Sequence, residues 1–335
     1  MRRTYAYTFV GATVIVATGI FYGFWAYSGR DTPPSSLSSD RAHIESFFRH
    51  GTPQDALELF ITENEKRTAV EQHTQAHLFG EVVYEKEGLE GMTVCDGSFG
   101  FGCYHSFLGR AITDHGPDVV KKLDASCVEK YGPGGIGCFH GIGHGLLSYF
   151  GYSLAAVERA LSSCSTLSWK RPLGGCADGV FMEYNFRIME TNPADRSRAF
   201  SIEGKYQPCN KLNLYQEGCY FGLPAWWATV LPNDATLPAR LGGYCSEVSK
   251  SNMQRACYRG IGYGILPEVQ FDVRLGGQFC NSAADGKARV WCREGLAWGF
   301  YADPATRDKT ESACTEDLSA VDAKLCMAEY LFVTQ

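Results

Sequence analysis

The chain contains 14 cysteines, yet no C-x-x-C and no C-x-x-C-H occurs in its 335 residues. The usual thiolate claw for zinc and the covalent haem attachment site are therefore absent. Basic clusters are missing too, and the net charge is -6 with a pI near 5.8. Nucleic acid is excluded as a partner, because phosphate binding needs gathered Lys and Arg. There is no G-x-S-x-G, no glycine-rich phosphate loop after a strand and no H-E-x-x-H. Esterase, P-loop and zincin chemistries have no support. No N-x-[ST] sequon is present, which suits a bacterial periplasm better than a eukaryotic secretory route.

What the cysteines do instead is repeat. They pair along the chain as Cys95 with Cys103, Cys127 with Cys138, Cys164 with Cys176, Cys209 with Cys219, Cys245 with Cys257, Cys280 with Cys292 and Cys314 with Cys326. The period is about 35 residues. Spacing of this kind in an exported chain reads as a disulfide framework, with the connectivity inferred from spacing alone. A phrase follows each second cysteine: Cys138-Phe-His-Gly-Ile-Gly, Cys176-Ala-Asp-Gly-Val-Phe, Cys219-Tyr-Phe-Gly-Leu-Pro, Cys257-Tyr-Arg-Gly-Ile-Gly and similar copies. Cys103-Tyr-His-Ser-Phe-Leu carries Ser where the others have Gly, and Cys326-Met-Ala-Glu-Tyr-Leu is a degenerate last copy. Before the first cysteines, Val119, Val120 and Leu123, and Leu154, Val157, Ala160 and Leu161, have helical spacing. Two helices per repeat predict stacked αα-hairpins in which the first cysteine closes helix A and the second opens helix B. Glycine inside a helix costs about 1 kcal/mol relative to alanine, so its recurrence predicts close helix contacts. The fold expected is all-α: disulfide-clipped αα-hairpin repeats forming a superhelix or α/α toroid, preceded by one transmembrane helix. The step from Cys164 to Cys209 is the longest and predicts an inserted loop across Ile188 to Tyr206.

Arg2-Arg3 precede an apolar run over about 8–27, close to the ~20 residues that span a bilayer, with aromatic residues at its far end. Residues 1–30 are read as an uncleaved signal anchor and 31–40 as a flexible linker. Residues 41–335 form the extracytoplasmic repeat domain, with histidine-bearing helices over 41–94 and seven cysteine-pair repeats over 95–335. The N-terminus stays cytoplasmic and the body lies in the periplasm or extracellular space. Asp40 is a cap for a short helix ending at Gly51. Thr52-Pro53 starts a helix to Lys66, with Ala56, Leu57, Leu59, Phe60 and Ile61 as its apolar side, and another helix covers 69–87.

Residues two positions after the second cysteine are His105, His140, Asp178, Phe221, Arg259 and Glu294. This polar stripe on the inner helices predicts a lined concave groove, able to receive a protein or a glycan. The histidines are sharper. His73 with His77 and His140 with His144 are both i,i+4 pairs, which share one helix face. Eight histidines placed at random give roughly 0.2 such pairs. His105 occupies the repeat position of His140. Neutral imidazole is the commonest ligand of Zn, Cu and non-haem Fe, so His73, His77, His105, His140 and His144 are the candidate metal ligands. The metal (Fe, Cu or Zn) is not distinguishable, and bis-histidine ligation of a b-type haem is a further option. Glu81, one turn beyond His77, is a candidate ligand, partner or base. Asp178 and Glu183 are candidate carboxylates for a glycan-active toroid enzyme, although five residues on a helix turn them about 140° apart. Trp226, Trp227 and Trp298 are read as core aromatics before sugar platforms. The leading expectation is a membrane-anchored metalloprotein, in its catalytic form a metal-dependent oxidoreductase. The alternatives are a non-catalytic scaffold and the glycan enzyme.

Overall fold

A computed structural model of the chain describes residues 34–49, 51–132, 135–171, 173–189, 197–302 and 306–334. The run at 8–27 lies outside them, and no helix among the described residues is long and apolar enough to cross a membrane. The chain divides into two compact units, Met1–Asp40 and Arg41–Gln335. Among the described residues there are fifteen α-helices and no strand.

The first three helices start on sequence signals. Helix α1 (Pro34–Phe47) begins earlier than its expected Asp40 cap, so residues 34–40 of the expected linker are helical. Proline suits the first turn because its fixed φ is already helical and its missing N–H has no partner there to lose. Helix α2 (Pro53–Asn64) opens on a capping box in which the Thr52 hydroxyl accepts from Asp55 N–H and the Asp55 carboxylate accepts from Thr52 N–H. It buries Ala56, Leu57 and Phe60, but Leu59 faces solvent, on the side that the expected apolar face included. Helix α3 (Ala69–Glu87) has the same box from Thr68 and Glu71 and spans the predicted 69–87.

Beyond them lie α4 (Gly102–His115), α5 (Val120–Tyr131), α6 (Ile136–Phe150), α7 (Leu154–Cys164) and α8 (Gly175–Phe186). Then come α9 (Gln216–Val230), α10 (Leu237–Ser246), α11 (Ser251–Gly264) and α12 (Val273–Ala283). The last three are α13 (Gly286–Ala302), α14 (Thr310–Thr315) and α15 (Ala320–Thr334). Helices α3, α4, α6, α8, α9, α11, α13 and α15 pack each against the next, and α10, α12 and α14 do so in a second row. The core is continuous through the interface between rows and includes all 14 cysteines.

Seven disulfides join the expected pairs, with Cα atoms 5.4–5.8 Å apart. Cys95 is bonded to Cys103, Cys127 to Cys138, Cys164 to Cys176 and Cys209 to Cys219. Cys245 is bonded to Cys257, Cys280 to Cys292 and Cys314 to Cys326. Cys219 lies in the first turn of α9, as expected of a second cysteine. Cys257, Cys292 and Cys326 each sit at the seventh residue of α11, α13 and α15, about a turn and a half deeper than expected. Two copies depart from the expected hairpin at the first cysteine. Cys95 is in non-helical backbone and Cys209 begins a 3-10 turn, Cys209–Lys211. Gly204 and Pro208 explain the second case, since neither favours a helix running into the cysteine. The described parts of the expected insertion, residues 188–189 and 197–206, are turn and irregular backbone.

The repeated glycines set the spacing of the first row. A Cβ on Gly179 would collide with the His140 carbonyl oxygen, and one on Gly143 with the Cys176 carbonyl oxygen. The same reciprocal arrangement joins α11 to α13, through Gly262 against Cys292 and Gly295 against Arg259. The glycine three residues after a second cysteine meets the preceding helix in these pairs, and the one five residues after it meets the following helix. Backbones at this distance leave no room for any side chain between them.

Candidate metal centre

Helix α4 lies between α3 and α6, and each of the three turns histidines to one place. On α6, Gly141 and Gly145 contact α4 while Gly143 contacts α8. At 100° per residue, His140 and His144 project between those two contact faces. His144 is fully buried, His105 nearly so, and His73, His77 and His140 are half-buried. Ligand nitrogens of His73, His77 and His105 lie within 4.8 Å of one another, and so do those of His105, His140 and His144. All five expected ligands are therefore together in the folded chain.

The outer nitrogens are held. His73 Nδ1 donates to the Phe99 carbonyl at 2.9 Å. That carbonyl comes from a loop in which Phe99, Gly100 and Phe101 have φ of 53°, 67° and 65°. Left-handed backbone costs an L-residue about 1–2 kcal/mol, so the loop is strained where it meets the histidine. His77 Nδ1 is 2.9 Å from Ser106 Oγ. Ser106 is the residue that replaces the repeat glycine, and its side chain reaches the preceding helix as those glycines do. His144 Nδ1 donates to Glu183 Oε2 at 2.8 Å, with both side chains closed to solvent. Tyr152 hydroxyl and Met189 N–H also donate to Glu183, so the buried carboxylate is satisfied. Asp178 Oδ2 lies 3.0 Å from His140 Nδ1. The Met189 methyl packs against Gly109, one turn beyond His105 on the same face.

With Nδ1 engaged on the outer side, the Nε2 atoms of each i,i+4 pair face one another. His144 Nε2 and His140 Nε2 are 2.8 Å apart, and His77 Nε2 and His73 Nε2 are 3.1 Å apart. Metal–imidazole bonds of about 2.0–2.1 Å at 90–110° place neighbouring ligand nitrogens about 2.9–3.4 Å apart, so these pairs have the spacing of a coordination shell. Burial pushes the His73 imidazole below its ordinary pKa, with the Phe99 bond opposing. Burial also lowers His144, against the raising effect of Glu183. His105 is lowered well below the usual range, first by burial and then by the charges its four neighbours would carry. These three rings are kept neutral, which is the form that binds metal.

The other sequence candidates take different places. Glu81 is not among the grouped ligands: its carboxylate pairs with Arg41 at 3.7 Å, and burial raises its pKa. The i+4 relation to His77 was real, but the Arg41 guanidinium engages the carboxylate. Asp178 and Glu183 diverge as their spacing requires, one to His140 and the other to His144. Trp226 and Trp227 are fully buried, donating Nε1–H to the Arg198 and Lys205 carbonyls. Of the polar stripe, Arg259 binds Glu294 at 2.7 Å. Phe221 instead groups with Tyr263 and Trp298, with ring centroids 4.9–5.4 Å apart. Desolvation in this group, with the Asp178 charge nearby, pushes the Tyr263 phenol up to about 12. Sequence reasoning missed Phe99, Ser106 and Tyr152 as supports. The Ser-for-Gly exchange was the one signal available for any of them. Comparison with protein-family models, with curated proteins and with solved structures gave no match.

Proposed function

We propose that the chain is a membrane-anchored extracytoplasmic metalloprotein, with its metal held by His73, His77, His105, His140 and His144 on a disulfide-clipped αα-hairpin superhelix. The observation that carries this reading is the His140–His144 contact. Both Nδ1 atoms face carboxylates, so two Nε2 lone pairs meet at 2.8 Å inside the fold. Two acceptors at that distance repel one another unless a proton or a metal cation lies between them, and burial, which lowers the pKa of His144, works against the proton. The pairing of ligand histidine with outer carboxylate, His144 with Glu183 and His140 with Asp178, is the support that metal-bound imidazoles ordinarily have. The repeat reading is supported by the two rows of successive helices and by a disulfide in every copy. The export reading is supported by the seven disulfides, which persist in oxidising compartments.

A nitrogen-only set suits Zn(II), Cu or Fe(II). Oxidoreductase activity requires Cu or Fe, since Zn(II) has no redox chemistry. A substrate or oxidant would approach along His140 and Asp178, whose side chains are 13% and 23% exposed where those of His144 and Glu183 are closed. Haem fits less well, because imidazoles in mutual contact leave no slot for a macrocycle. The glycan-enzyme reading loses its acid, because the Glu183 carboxylate has no access to solvent or to a glycosidic oxygen.

The test is a Co(II) titration of the full-length, detergent-solubilised protein. Visible d–d absorption of a nitrogen-ligated ion, saturating at a fixed stoichiometry and reduced in a His140→Ala/His144→Ala variant, is the expected result. An absorption spectrum that stays that of aqueous Co(II) overturns the proposal.

A further inference from the structure

Resting on the metal-centre reading, we propose that the five histidines hold two cations, with His105 as a ligand shared between them. The geometry divides the set into two triads, one of His73, His77 and His105 and one of His105, His140 and His144, and among the described residues the pair on α3 joins the pair on α6 through His105 alone. Its ring centroid lies 5.3 Å from those of His73 and His77, and 4.6 and 6.1 Å from those of His144 and His140. Each flanking pair has its own outer supports: the Phe99 carbonyl and Ser106 on one side, Asp178 and Glu183 on the other.

His105 differs from all four. It is 4% exposed, and its Nδ1 is buried with no hydrogen-bond partner. An imidazole that serves one ion ordinarily gives its other N–H to an acceptor. One that serves two ions needs both nitrogens, and here no protein group takes Nδ1. The first cation takes the lone pair of the neutral ring. The second replaces the remaining N–H proton, which leaves to solvent, and no electron is transferred. Two bonds of about 2.0 Å on opposite edges of one ring place the ions about 6 Å apart.

The experiment loads the full-length protein in detergent with Cu(II), measures bound copper by elemental analysis and records low-temperature EPR. Two equivalents with most of the EPR intensity lost, through antiferromagnetic coupling across the bridging ring, is the expected result. A His73→Ala/His77→Ala variant, altered at half-buried side chains, should keep one equivalent and regain a normal isolated Cu(II) signal. His105→Gln should bind copper more weakly and without coupling; if it does not fold, the variant of His73 and His77 still decides. One equivalent in the wild type, or two with independent signals, overturns the shared ligand and leaves the metal centre standing. No bound copper, and none of Zn(II) or Fe(II) when each is supplied instead, overturns the metal centre itself.

Discussion

Glu183 orients His144 from a position closed to solvent, and its other donors are a tyrosine hydroxyl and a backbone amide. Exchanging it for glutamine keeps the volume but removes the charge and one acceptor oxygen. Glu183→Gln should weaken metal affinity by about 10–100-fold, read by competition with a chromophoric chelator. Ser106→Gly restores the residue that most copies of the repeat carry, so the backbone tolerates it. It removes the partner of His77 Nδ1 and should cost about 10-fold in affinity with little change in the denaturation midpoint. Unchanged affinity would make Ser106 a packing residue. At this scale the grouping of the histidines was legible because i,i+4 spacing is a property of the helix alone. Their supports were not. Phe99 acts through a backbone carbonyl in a strained loop, and no side-chain pattern encodes that. Asp178 and Glu183 were visible as carboxylates, but which histidine each meets depends on how α6 packs on α8.

Gly143 and Gly179 bring α6 and α8 into backbone contact, and that contact places Glu183 against His144. Gly179→Ala forces the helices apart, because the new methyl meets the His140 carbonyl rather than a flexible side chain. Overpacking of this kind costs about 1–3 kcal/mol, to be read as a lower denaturation midpoint. Gly243, with nothing near its missing Cβ, is the control: Gly243→Ala in α10 should be neutral or stabilising. Equal effects at the two positions would contradict the close-approach account. The disulfide pairing and the helix contacts were readable at this scale because cysteine spacing and glycine recurrence are covalent and steric constraints written in order along the chain. Helix A of the first and fourth copies was not, since Cys95 and Cys209 keep their disulfides to Cys103 and Cys219 while the residues before them lack a helical run. The start of α1 was missed for a related reason. Pro34 is compatible with both a linker and a first helical turn, and composition alone does not choose between them.

Over the whole molecule, seven clips each close a short loop, worth about 2–3 kcal/mol apiece in the chain-entropy model. The folded pKa values of His73, His105 and His144 lie below the ordinary value of 6.5, so the unfolded chain takes up protons first as pH falls. Their contribution to stability is fully present above that value and is lost as pH drops below it toward the folded values. Metal-free protein should therefore show a lower urea midpoint at about pH 5.5 than at about pH 7.5. Metal affinity should fall over the same window as protons compete for the ligands. A midpoint independent of pH would mean that the imidazoles are not buried together.

The most direct test of the imidazole centre is the metal content of the full-length protein purified oxidised and without chelators, measured beside a His140→Ala/His144→Ala variant of equal folded content. Stoichiometric Zn, Cu or Fe in the wild type, reduced in the variant, is the result predicted here. A folded wild type that carries none, and takes up none when each of these ions is supplied, would contradict it.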